Sequence, residues 1–132
     1  MAIGEVNRWS MNFKANGAIT KYTMVKLSTL ASDGSSRVAT TAASTDVSIG
    51  VAQETVADGD QVSVMLAGIS LVSANGAHTI GDELMVITTD GEVDTWTASA
   101  GSNAVVCGVA METAAAAQDQ MAMLIKIYQK QG

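Results

Sequence analysis

Short runs of Val, Ile, Leu, Met and Thr, each bounded by Gly, Asn or Asp, organise this chain. They fall at 47–55, 61–67, 68–74, 84–89, 105–112 and 120–128. In the last run Met121, Met123, Ile125 and Ile127 alternate with Ala122, Leu124, Lys126 and Tyr128. That period of two belongs to a strand and places the two sets on opposite faces. Between the runs stand Asn16-Gly17, Asp33-Gly34, Asp58-Gly59, Asn75-Gly76 and Asp90-Gly91. Such pairs accept the positive φ of tight hairpin turns. Only 114–117, all alanine, favours helix, and it is too short to stand alone. The pattern predicts an all-β protein.

A second regularity lies above the strands. Gly50-Val51-Ala52-Gln53-Glu54-Thr55 recurs as Gly108-Val109-Ala110-Met111-Glu112-Thr113, and Asn16-Gly17-Ala18-Ile19-Thr20 recurs as Asn75-Gly76-Ala77-His78-Thr79. Asp33-Gly34 corresponds to Asp90-Gly91. Asp60-Gln61 with Val62, Val64 and Leu66 corresponds to Asp119-Gln120 with Met121, Met123 and Ile125. These ordered matches define two copies, about 16–67 and 75–127. A half of that size buries too little surface to be stable alone, so the halves are expected to share one small barrel or sandwich. The domain reading is an extended N-terminal arm over 1–15 and a single β domain over 16–132.

Composition narrows the class. The 132 residues are 48% hydrophobic and 15% charged, a mixture that folds rather than staying disordered. Seven basic against thirteen acidic residues give a net charge of −6, which disfavours nucleic acid and anionic membranes as partners. No apolar stretch approaches the roughly 20 residues of a membrane span. Glu5, Arg8, Asn12 and Lys14 interrupt the N-terminal region, which argues against a secretion signal. The charge is also polarised. Residues 1–26 carry Arg8, Lys14, Lys21 and Lys26 against Glu5, whereas 27–125 carry Arg37 alone against twelve carboxylates. Lys126 and Lys130 then make a basic tail. With Trp9 and Phe13 among only five aromatics, the basic leader has the make-up of an interface.

Catalytic and metal chemistry find little support. His78 lies in a turn-like segment with no motif to orient it as a base, and a surface or turn position is expected for it. Cys107, between Val106 and Gly108, has no cationic neighbour in sequence and reads as a core residue. One cysteine excludes an internal disulfide, and one histidine beside it leaves too few ligands for structural zinc. Asp58-Gly59-Asp60 lacks the rest of a calcium loop and reads as a solvated turn. Gly81-Asp82 is expected to start the strand at Leu84, and no phosphate-binding glycine motif is present. No cofactor is expected, and the chain does not read as an enzyme.

The run of a short leader, N-G-A-x-T, G-V-A-x-E-T, A-D-G-D-Q-V-S-V-M-L-A-G and T-x-G-D-x-L over most of 3–128 resembles the decoration, or cement, proteins of tailed-phage heads. The resemblance implies a non-enzymatic β-rich protein, a homotrimer or other small homo-oligomer. It would sit on the outer capsid surface and clamp neighbouring major capsid proteins. It would be made in the host cytoplasm and end in the virion. It also implies capsid contact through the N-terminal segment, here Ile3, Arg8, Trp9, Phe13 and Lys14. The strand 120–128 is a further candidate contact, because an exposed edge needs cover. Other readings are a tail- or fibre-associated β-module of a virion and an oligomeric β-barrel ligand-binding protein.

Overall fold

The computed structural model describes residues 9–29, 36–87, 89–97, 103–116 and 120–131. Ten strands follow one another: β1 Trp9–Ala15, β2 Met24–Thr29, β3 Ser36–Thr40, β4 Ser48–Ala52, β5 Gln61–Ala67, β6 Ile69–Ser73, β7 Glu83–Val86, β8 Val93–Thr95, β9 Asn103–Ala110 and β10 Gln120–Gln131. Among the described residues there is no helix, so the protein is all-β. The first five strands close a barrel in the order β1-β3-β2-β4-β5, and the last five form a sheet in the order β6-β10-β9-β7-β8.

Followed in the opposite direction from β1, the barrel order becomes β1-β5-β4-β2-β3, which is the order of the second sheet when β6 to β10 are set against β1 to β5. The correspondence extends to single contacts. Parallel pairing of Ala15 with Val38 closes the barrel, and a parallel bridge joins Ala74 to Val93. Val25 faces Gly50 where Leu84 faces Gly108. The bridge of Ile19 to Val56 has its counterpart in that of His78 to Ala114.

The G-V-A-x-E-T residues make the same contacts in each half. A Cβ on Gly50 would collide with the Met65 carbonyl oxygen, and one on Gly108 with that of Leu124, so the backbones approach as only glycine allows. Glu54 accepts the Ser63 N–H at 2.9 Å, and Glu112 accepts the Ala122 N–H at 3.0 Å. Thr55 accepts from the Lys21 N–H and Thr113 from the Ile80 N–H. The tyrosine of one turn, Tyr22, sits at φ 64° and gives its N–H to the Ala52 carbonyl; its counterpart Gly81 sits at φ 90° and gives its N–H to that of Ala110.

Two hydrophobic clusters result. Ala15, Ile19, Val25, Val38, Ala52, Val62 and Val64 fill the barrel, with Phe13 packed against them. The second cluster holds Val72, Leu84, Val86, Cys107, Met121 and Met123, and also Met24 and Val51 from the outer wall of the barrel. That sharing joins the halves. Along β10, Met121 and Met123 are buried as the alternation predicts, with Ile125 packed beside them. The register then shifts between Ile125 and Tyr128, and the alternation ends.

The N-terminal region differs from expectation over 9–15. In place of an extended arm these residues form β1, paired with β5 through six residues and with β3 at Lys14 and Ala15. Phe13 opposite Val62 supplies the apolar contact that seats the strand. Residues 1–8 lie outside the described residues, as does the Asp33-Gly34 turn.

Candidate functional site

Strand direction fixes what the two ends of the barrel carry. β1, β3 and β4 start, and β2 and β5 finish, at one end. Four large apolar side chains stand exposed there: Trp9 at 60%, Met11 at 45%, Leu27 at 57% and Val47 at 54%. Leu27 pairs with Val38 and Met11 with Val64, both core residues. Leu27 and Met11 therefore belong to the inward-facing rows of the barrel where those rows run out of cover. A concavity lined by Lys26, Leu27, Ser28 and Ser36 adjoins them. Lys26 is tied at 2.8 Å to Asp46, whose pKa the Lys26 hydrogen bond holds below the usual carboxylate value.

Of the five contact residues expected from sequence, Ile3 and Arg8 lie outside the described residues. Trp9 and Lys14 are exposed on β1, and Phe13 is half-buried against the barrel core. The sequence reading missed Met11, Leu27 and Val47, which no local motif distinguishes from core residues. Only the closure of the barrel brings them to the same end.

The remaining candidates are structural. His78 is buried, not at the surface, and takes the place that Ile19 has in the first half. Its Nε2 lies 3.1 Å from the Val93 carbonyl, which can only accept, so Nε2–H donates; Nδ1 lies 2.9 Å from the Thr95 hydroxyl, which in turn reaches Asp82. Cys107 is buried as expected, and burial pushes its thiol up to about 11, far from a reactive thiolate. Asp58 accepts the Gly17 N–H at 2.8 Å and so caps a turn. Among the described residues no group of three or more His, Cys, Asp or Glu is placed to hold a metal ion.

A cleft of about 230 Å³ runs between the halves, lined by Thr20, Thr23, Ser73, Asp90 and Glu92. Glu92 is buried there, and desolvation, with the Asp90 charge second, raises its pKa. The intervening Gly91 gives its carbonyl to the Met24 N–H and sits against Thr23 and Thr40. The 90–92 turn is thus part of the joint between the halves.

A family model described as phage cement protein matches residues 5–127. No curated protein sequence matches the chain. Among solved structures, the head fiber gp8.5 N base of bacteriophage phi29 is similar over 91% of this chain and 95% of that one, with a TM-score of 0.70 and 22% identity. At that identity the likeness concerns the fold.

Proposed function

The chain belongs to the phage cement protein family, a family of virion structural proteins, and from that premise we propose that it binds the outer surface of the assembled capsid and stabilises contacts between major capsid proteins. It acts without catalysis or cofactor, as a homotrimer or other small homo-oligomer. It is made in the host cytoplasm and ends on the particle exterior. The observation that carries this reading is the match of the cement family model over 5–127.

Trp9 supplies a contact surface consistent with that role: an indole 60% exposed at the start of a strand whose far end is anchored by the buried Ala15. An aromatic held on a rigid strand loses little freedom when it docks, which is the character of an interface anchor. Lys14 stands exposed on the same strand, and Ile3 and Arg8 precede it in sequence. Phe13 holds the strand from inside.

Cosedimentation of the purified full chain with shells lacking it tests the reading. Saturable binding in proportion to the number of capsid subunits is expected. A few copies per particle would point to a tail- or fibre-associated module, and no binding would end the cement reading for this chain.

A further inference from the structure

The joint between the two halves is directional. It seats the outer wall of the first half on the open end of the second, and the partners differ on the two sides. Gln53 Nε2 donates to Ser70 Oγ at 2.8 Å, the Val105 N–H donates to the Ser44 carbonyl, and Met24 and Val51 enter the cluster that contains Val86. In consequence Ser70, Val86 and Val105 are buried, at 4%, 1% and 2% exposure.

The corresponding positions in the first half are Met11, Leu27 and Val47. The correspondence follows from the pairings: Met11 faces Val64 as Ser70 faces Met123, and Leu27 faces Val38 as Val86 faces Val93. These three, with Trp9, are the exposed large apolar residues of the barrel end. The covering wall has a counterpart too. Val51, Gln53 and Met65 of the first half correspond to Val109, Met111 and Leu124 of the second. Val51 and Met65 are buried at the joint, whereas Val109 and Met111 are half-buried and Leu124 is 39% exposed.

Each chain therefore shows both unmatched faces of an interface it already makes once. We infer that copies of this chain associate head to tail, the β9–β10 wall of one covering the barrel end of the next, in a repetition of the joint within the chain. The change of chemistry agrees on both sides. Where the internal joint sets polar Gln53 on polar Ser70, the joint between copies sets apolar Met111 on apolar Met11. A contact of this kind is heterologous, and a small closed ring satisfies every face. This rests on the reading of the protein as a small homo-oligomer and adds the surfaces that build it.

Two double variants test it: Met11→Asp with Leu27→Asp at the barrel end, and Met111→Asp with Leu124→Asp on the wall. All four side chains are at least partly exposed, so both variants are expected to keep the wild-type thermal transition. Mass photometry and light scattering should show an oligomeric wild type and a self-association at least tenfold weaker in each variant. Mixed together, the variants should form one-to-one dimers and nothing larger, because a single intact pair of faces remains. A monomeric wild type would overturn the oligomer reading and the surfaces with it. An oligomeric wild type with oligomeric variants, or a mixture that stays monomeric, would overturn the surfaces alone. Should a double variant fail to fold, Met11→Lys and Met111→Lys serve in the same comparison with the same outcomes.

Discussion

Gly50 and Gly108 occupy places where the demand for glycine is steric, because the next strand's carbonyl oxygen fills the position of a Cβ. Gly50→Ala and Gly108→Ala should therefore each cost about 3 kcal/mol, as overpacking against backbone that has no room to move. Tyr22 is the opposite case. At φ 64° a tyrosine carries left-handed strain of about 1 kcal/mol, and glycine does the same duty at Gly81. Tyr22→Gly should leave stability within about 1 kcal/mol of wild type, since relief of strain is offset by the added freedom of the unfolded chain. Urea denaturation of the three variants decides the matter. Alanine variants as stable as wild type would show that β4 and β9 stand off from their neighbours.

The strands were partly legible in sequence, and the limits were physical. The run 61–67 is β5 without adjustment, because Val62 and Val64 face the core, the Asp58-Gly59-Asp60 turn precedes it and Gly68, at φ 105°, ends it. β2 and β3 lie outside the six apolar runs, because Lys26 and Arg37 break their apolar pattern. β1 reads as an arm in sequence because its first four residues are all exposed and no burial periodicity marks them. In sequence the glutamates of the two G-V-A-x-E-T segments are only part of a repeated pattern, and their work is visible only in the fold. Each accepts a backbone N–H from the strand that follows. Glu54→Ala and Glu112→Ala should each lower stability by about 1 kcal/mol through loss of that bond, and glutamine should rescue most of it. An alanine variant with an unchanged urea midpoint would assign the N–H to solvent instead.

At the scale of the molecule the joint between the halves ties stability to pH. Burial beside Asp90 raises the Glu92 carboxyl above its ordinary value near 4.5. Between the ordinary and the raised value the folded chain keeps a proton that the unfolded chain releases, so stability falls as pH rises through that window. Below the ordinary value both states are protonated and the cost vanishes. Asp46 acts in the other direction: its contribution, held by Lys26, is present above the ordinary value and lost as pH falls through the lowered one. Glu92→Gln removes the first dependence, so the variant should gain on wild type as pH rises above the ordinary carboxyl value near 4.5. A constant difference across that range would place the Glu92 charge in a fully compensated environment.

The same scale bears on function. The exposed Trp9 indole at one end of the barrel and the acidic second half fit the adhesive role proposed for the protein. Its tenth strand contributes to the core through Met121 and Met123 and presents Leu124 outward, so stability and contact are served by alternate residues of one element. In the role proposed for it, the protein holds the shell together. Release of packaged DNA on heating, followed by dye fluorescence in particles with and without saturating protein, tests it directly. Decorated particles should release their DNA at a higher temperature, and the gain should scale with occupancy. Identical release temperatures at full occupancy would contradict a cementing role.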